Sequence, residues 1–173
     1  MTETNRCHLR KIISGGQTGV DRAALDAALD LNFPSGGWCP KGRRAEDGVI
    51  DGKYPLNETT DAEYAQRTES NVQDSDGTLI ITPGSAPPGP LSGGTALTRQ
   101  LADQHHKPCL IVDTDDPNAR HVIVEWLEKH AIATLNIAGP RESTSPGIRD
   151  KSHALLTGLL LNVIDRESTD CEC

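Results

Sequence analysis

A glycine-rich turn near the start of the chain has the residue types and spacing of an anion-binding site. An apolar run ends at Ser14, the turn Gly15–Gly19 follows, and an amphipathic helical pattern begins at Val20. Glycine lets the backbone approach a ligand closely, and the following helix points free N–H groups and its positive dipole end toward the turn. Many strand-to-helix turns are tight for packing reasons alone, so this turn by itself leaves both interpretations open.

Asp21, in the first turn of that helix, also has two interpretations. Thr18 and Asp21 have the spacing of a capping box, although that box usually ends in Glu or Gln. Alternatively, the Asp21 carboxylate accepts a hydrogen bond from a ligand donor, such as a ribose hydroxyl or a pterin N–H. Because a carboxylate repels a bare phosphate, the second interpretation predicts a ligand with a donor-rich part and an anionic part.

A second glycine turn and the end of the last strand contribute further candidates. The segment Ser92–Thr95 contains two glycines and leads from another strand and its loop into another helix. Arg141 follows the last strand, where it either reaches the same rim or pairs with Glu142. Ser145 and Pro146 are predicted as the N-cap and first residue of the final helix.

A long basic loop is the other candidate for contact with an anion. Residues 40–59 are nearly patternless and concentrate Lys41, Arg43 and Arg44 in an acidic chain. Long loops in compact domains are often lids or binding loops, which favours anion binding here. On the helix that follows, Arg67 and Asn71 share a polar stripe, which is either a solvated face or part of the site.

The elements that position these residues follow from the alternation of apolar runs with helical patterns. The predicted strands are Arg10–Ser14, Ser35–Cys39, Tyr54–Asn57, Thr78–Thr82, Cys109–Asp113 and Thr134–Ala138. The predicted helices are Val20–Leu31, Ala62–Asp74, Thr95–His106, Ala119–His130 and Gly147–Ile164. This alternation predicts a Rossmann-like α/β fold, with a doubly wound, mostly parallel sheet flanked by helices. In the strand order 3-2-1-4-5, the first and fourth strands are neighbours, and both glycine turns flank the crevice at their carboxyl ends.

Length, charge and cysteines limit the class of protein. The 173 residues predict one ligand-binding domain over residues 1–165, followed by an acidic tail at 166–173 that is expected to be disordered. The net charge of −8 argues against nucleic-acid or membrane-surface binding. No apolar stretch is long enough for a membrane span and the N-terminus is polar, so a cytoplasmic location is expected. The cysteines form no disulfide pattern, and Cys39 and Cys109 are expected to be structural; the others are Cys7, Cys171 and Cys173.

Five stretches, taken together, resemble the molybdenum carrier family, the molybdenum-cofactor carrier proteins. They are IISGGQTGVD (12–21), GWCPKGRRAED (37–47), YAQRTESN (64–71), PLSGGT (90–95) and LNIAGPRES (135–143). More distantly, the chain is similar to the lysine-decarboxylase-like nucleotide phosphoribohydrolases, whose arginine and glycine–threonine turn match Arg67 and Gly94-Thr95. The glutamate of those enzymes corresponds to Thr98 here. Since Thr98 cannot act as an acid or base, the resemblance favours a binding protein over a hydrolase.

The resemblance implies that the chain binds, protects and hands over molybdenum cofactor, an oxygen-labile, anionic pterin. The glycine-turn N–H groups would suit its phosphate, Asp21 its pterin donors, and the Arg43 and Arg44 loop its oxo-metal dithiolene. The predicted ligand-binding residues are Gly15, Gly16, Gln17, Thr18, Gly19, Asp21, Lys41, Arg43, Arg44, Arg67, Asn71, Ser92, Gly93, Gly94, Thr95 and Arg141. No catalytic residue and no metal ligand is predicted.

The sequence also gives expectations for binding partners, for oligomeric state and for alternative functions. The resemblance implies molybdoenzymes or cofactor-synthesis proteins as partners, and a homo-oligomer, plausibly a tetramer. Large apolar residues crowd the last two helices and suggest a subunit contact; they are Trp126, Leu127, Leu155, Leu159, Leu160 and Leu161. Two alternatives stay open, namely an enzyme that processes a nucleotide or nucleoside phosphate and a regulatory protein that senses a nucleotide.

Overall fold

Five parallel strands form the central sheet of the computed structural model, which describes residues 8–84 and 91–169. In chain order the elements are β1 (Lys11–Ile13), α1 (Val20–Asp30), β2 (Ser35–Gly36), β3 (Trp38–Cys39), β4 (Arg44–Ala45), β5 (Gly48–Val49), β6 (Asn57–Glu58), α2 (Tyr64–Gln73), β7 (Gly77–Thr82), α3 (Gly93–Gln104), β8 (Cys109–Asp113), α4 (Ala119–Lys129), β9 (Thr134–Ala138) and α5 (Ile148–Thr169). The Rossmann-like α/β fold is therefore confirmed. No helix in these described ranges is long and apolar enough to cross a membrane.

The last strand lies in the middle of the sheet. The strand order is β2-β1-β9-β7-β8, with Ile12 of β1 paired to Leu135 and Thr78 of β7 paired to Asn136. The prediction that β1 and β7 are neighbours was wrong, because β9 lies between them. Counted from β9, the same order reads 3-2-1-4-5, so the doubly wound arrangement is kept while its opening strand comes last in the chain.

Helices cover the sheet in two groups. Residues of α1, α4 and α5 share one apolar core with the strands, whereas Val72 of α2 packs with Leu101 and Ala102 of α3. Right-handed crossovers place these two groups on opposite faces. The apolar residues expected to form a subunit contact mostly belong to the first core: Leu127, Leu159 and Leu160 are buried, Trp126 and Leu155 pack against it, and Leu161 is 43% exposed. These side chains therefore give little support to a subunit contact, and the oligomeric state stays a prediction.

The nearly patternless loop of residues 40–59 contains short strands, and the brief strand predicted at Tyr54–Asn57 lies instead at β6. β3 pairs with β6, and β4 pairs with β5 in a short hairpin. Ile50, Tyr54 and Leu56 of this loop pack with Leu25 and Cys39 in a second apolar cluster. Because the loop is held by a small core and by side-chain hydrogen bonds, hydrophobic periodicity did not reveal its structure.

Several element boundaries differ from the prediction for local reasons. The second predicted strand divides into β2 and β3 at Gly37, which has a φ of +129° and lies where a Cβ would be 2.2 Å from the Ser14 carbonyl oxygen. Ser145 and Pro146 precede α5 rather than cap it; the Glu142 carboxylate accepts the Gly147 N–H at 2.5 Å instead. α5 continues past the predicted end to Thr169. Residues 85–90, the end of the predicted tail at 170–173, and Cys7, Cys171 and Cys173 lie outside the described residues.

Candidate functional site

A cavity of about 1100 Å³ lies at the carboxyl ends of the central strands. Its walls are formed by the turn after β1, one side of α2, the first turns of α3 and the loop after β9. Both glycine turns thus face one crevice, as predicted, although β9 separates their strands. The predicted residues that line it are Gly15, Gln17, Asp21, Arg67, Asn71, Ser92, Gly93, Gly94, Thr95 and Arg141. Ligand binding by these residues stays a prediction.

Three of the predicted residues in the first glycine turn shape it from outside the cavity lining. Gly16 has a φ of +75°, and a Cβ there would lie 2.6 Å from Leu56 Cδ1. Gly19 has a φ of +78°, and its Cβ would lie 2.4 Å from the Pro140 carbonyl oxygen. The Thr18 hydroxyl donates to the Glu46 carboxylate. These residues let the turn pack against the two neighbouring loops.

The three predicted cations of the basic loop also lie outside the cavity lining. The Arg43 guanidinium donates to four backbone carbonyls, those of Ile50, Asp51, Tyr54 and Leu56, at 2.8–3.1 Å. Arg43 therefore organises its own loop. The other two cations, Lys41 and Arg44, are exposed.

Asp21 and Arg67 form an ion pair at the wall of the crevice. Arg67 Nη1 donates to Asp21 Oδ2 at 2.7 Å, and the two side chains are 12% and 8% exposed. The capping interpretation of Asp21 was wrong, since α1 has Gly19 as its N-cap with no side-chain capping bond. Burial raises the pKa of Asp21, and the Arg67 guanidinium beside it opposes that rise.

The Arg67 side chain crosses the first glycine turn, which explains why residue 15 is a glycine. A Cβ on Gly15 would lie 1.5 Å from Arg67 Nη1, far inside contact distance. Arg67 can therefore reach Asp21 only because residue 15 has no side chain. This pairing joins α2 to α1 at the crevice.

Arg141 is a second guanidinium in the crevice. The guanidinium does not pair with Glu142 and has no hydrogen bond or ion pair with any described residue. Its guanidinium carbon lies 5.1 Å from the centre of the Tyr64 ring, and that of Arg67 lies 5.9 Å from the same centre. The Tyr64 ring therefore attracts both cations through its π face.

Gln17 provides a buried donor beside this pair of arginines. Its side chain is buried, with 4% of the residue exposed, and Oε1 accepts the backbone N–H groups of Thr18 and Glu46 at 3.1 and 2.9 Å. Nε2 is buried without a hydrogen-bond partner among the described residues. Since Oε1 is fixed by two donors, Nε2 is held as a donor with unused capacity, which a ligand in the crevice could satisfy.

The N-terminus of α3 faces open space on the crevice wall. A Cβ on Gly93 or Gly94 would meet no atom of the described residues within 4 Å. The Ser92 side chain makes no capping hydrogen bond, so among the described residues the first N–H groups of this helix keep their capacity for an anion. Thr98, also on the lining, donates its hydroxyl to the Gly94 carbonyl at 2.8 Å.

Some lining residues have structural roles, and others escaped prediction. Asn71 accepts from the Trp38 N–H at 2.9 Å and donates to the Trp38 carbonyl at 3.0 Å, so its amide is already used by the protein. Tyr64 and Asn136 line the cavity without having been predicted as site residues. Asn136 could have been found, because it is a polar residue in the middle of an otherwise apolar strand.

Comparisons with known proteins identify a family and a similar fold. Residues 12–160 match the model of a family described as the Circularly permutated YpsA SLOG family. A solved structure of a "putative molybdenum carrier protein" from Syntrophus aciditrophicus SB is similar, with 49% sequence identity and a TM-score of 0.82. The match covers 88% of this chain and 96% of that one. No curated protein matches the sequence. The strand order, which reads 3-2-1-4-5 from the last strand, fits a circular permutation.

Proposed function

Because the chain belongs to the circularly permutated YpsA SLOG family and is similar to a protein named as a molybdenum carrier, we propose that it carries molybdenum cofactor in its crevice. The ligand would be bound, protected from solvent and handed to an acceptor protein. This proposal places an anionic pterin between the arginine wall and the N-terminus of α3. The cytoplasmic location expected from the sequence stays a prediction.

The observation that carries the proposal is the pair of guanidiniums on Tyr64. Arg141 has no anionic partner among the described residues, and Arg67 adds a second cation on the same ring. Two guanidiniums in a partly buried crevice attract a phosphate more strongly than exposed lysines would, because each can form paired, charge-assisted hydrogen bonds.

The other polar groups of the crevice suit the rest of the ligand. A pterin is rich in N–H donors and carbonyl acceptors. The Asp21 carboxylate can accept from such donors, and Gln17 Nε2 can donate to an acceptor. Arg43 and Arg44 have no role in this version of the site, since neither lines the cavity.

Anaerobic titration of the purified protein with molybdenum cofactor tests the proposal. Arg141→Ala should weaken binding by roughly ten- to a hundredfold, because one charge-assisted contact contributes about 1.5–3 kcal/mol. Arg44→Ala is the matched control, since it removes the same charge from an exposed position outside the cavity. The control should bind like the wild type. Equal weakening in both variants would mean that binding depends on net charge and not on the crevice.

A nucleotide panel separates the carrier from the enzyme alternative. Among the described residues, only Asp21 and Asp113 contribute carboxylates to the crevice lining, and Asp21 is paired with Arg67. Thr98 occupies the position of the hydrolase glutamate. We therefore expect no release of base from nucleoside monophosphates. Hydrolysis by the wild type that disappears in Asp21→Asn would replace the carrier proposal with an enzymatic one.

A further inference from the structure

One of the two arginines in the crevice is already neutralised by the protein. Arg67 donates to the Asp21 carboxylate at 2.7 Å in a nearly solvent-free contact, whereas Arg141 has no carboxylate partner in the described ranges. An anion that approaches Arg67 therefore meets a guanidinium whose charge Asp21 already offsets. If Asp21 kept its charge, the anion and the carboxylate would share one guanidinium and repel each other in a poorly screened environment.

Apart from Arg67, the cation whose charge lowers the pKa of Asp21 is Arg141. Arg141, on the loop after β9, faces the same crevice and would contact the ligand as well. From its own helix, Arg22 is engaged by Asp47 at 2.6 Å. The lining residues of α3 are uncharged. The only other carboxylate on the described lining is that of Asp113 at the end of β8, and its negative charge cannot stabilise that of Asp21.

We propose that anion binding in the crevice is coupled to the uptake of one proton by Asp21. On binding, the anion takes over the Arg67 guanidinium and Asp21 Oδ2 accepts a proton from solvent to become a neutral carboxylic acid. On release, that O–H bond breaks, the proton returns to solvent and Arg67 pairs with Asp21 again. The identity of the natural anion rests on the proposed function, whereas the coupling rests on the ion pair.

Two features of the site support this exchange. Arg67 Nε is buried without a partner in the described structure, so the guanidinium has donor capacity that Asp21 does not use. A neutral Asp21 can still accept from the Gln17 N–H, which donates to it at 3.4 Å. Burial already favours the neutral form of this carboxyl, and its pKa is raised accordingly.

The coupling predicts that affinity rises as the pH falls. Between the pKa of Asp21 in the free protein and its higher pKa in the complex, each unit of pH decrease should strengthen binding by up to about tenfold, because one proton is taken up per anion. Below the pKa of Asp21 in the free protein, the carboxyl is already neutral and the dependence should disappear. Alkaline conditions therefore favour release of the ligand.

Calorimetry in two buffers of different ionisation enthalpy counts the protons taken up. Sulfate is the first probe, because its own charge stays fixed over the working pH range, and molybdenum cofactor under argon is the second. The wild type should take up close to one proton per anion at a pH between the Asp21 pKa values of the free protein and of the complex. Any binding that remains in Asp21→Asn should show no proton uptake and no pH dependence.

Asp113→Asn is the matched control, because it removes the other carboxylate of the crevice and should leave proton uptake intact. Binding of either probe to the wild type without proton uptake would refute the coupling and leave the carrier proposal standing. Persistence of the uptake in Asp21→Asn would also refute it. If sulfate binds with proton uptake while the cofactor does not bind, the coupling holds and the carrier proposal fails. The wild-type measurement needs no substitution, so the test does not depend on the stability of a variant.

Discussion

Replacing Arg43 by alanine should unfold its loop rather than weaken ligand binding. The sequence pattern favoured anion binding for this residue, but its guanidinium donates to the carbonyls of Ile50, Asp51, Tyr54 and Leu56. The three bonds other than the one to Asp51 are partly buried. If each contributes about 1 kcal/mol net, Arg43→Ala should destabilise the loop by about 3 kcal/mol.

The apolar cluster under the loop determines how this loss is measured. Ile50, Tyr54 and Leu56 would lose part of their packing against Leu25 and Cys39 when the loop opens. Urea unfolding should give a lower midpoint, and amide hydrogen exchange should be fastest in residues 40–59.

A neighbouring variant provides the control for Arg43→Ala. Arg44→Ala makes the same change of charge at an exposed position and should alter neither the unfolding midpoint nor hydrogen exchange. If Arg43→Ala retained wild-type stability and bound anions more weakly than Arg44→Ala, the assignment of Arg43 to the loop scaffold would be refuted.

Substitutions at three glycines should distinguish ligand binding from structural support in the two glycine turns. Gly15→Ala should displace Arg67, because its Cβ would fall 1.5 Å from Nη1, and titration should show weaker cofactor binding. Gly16→Ala should cost about 1–3 kcal/mol of stability through its left-handed backbone and its contact with Leu56, while the folded fraction keeps wild-type affinity. Gly94→Asp should abolish anion binding without lowering the thermal midpoint, since its side chain enters open space at the N-terminus of α3. Weak binding by Gly16→Ala, or a large loss of stability in Gly94→Asp, would contradict these roles.

The parts of the fold that depend on local pattern could be predicted from the sequence. Continuous apolar runs gave Cys109–Asp113 and Thr134–Ala138 with the observed bounds, because strands of a parallel sheet between helices lack regular polar alternation. The same property concealed the central place of β9. Several strands are similarly apolar, so their residues do not specify which of them lies between β1 and β7.

The parts of the site that depend on distant contacts could not be predicted. Arg67 and Asp21 are separated by 46 positions, and nothing in either helical pattern shows that they pair. Arg43 resembles a free surface cation until its four carbonyl partners are known. In contrast, the two glycine turns were assigned to one crevice correctly, because parallel strands bring their carboxyl ends to the same edge of a sheet.

A crystal structure of the wild-type protein soaked with molybdenum cofactor under argon would show directly whether the crevice binds the cofactor. We expect density for the ligand in the crevice, with its phosphate in contact with Arg141 and its remaining part near Gln17 and the N-terminus of α3. Arg67 should have turned from Asp21 toward the ligand. A crevice without ligand density at saturating cofactor, or a cofactor bound to the exposed cations of the 40–59 loop, would refute binding in the crevice.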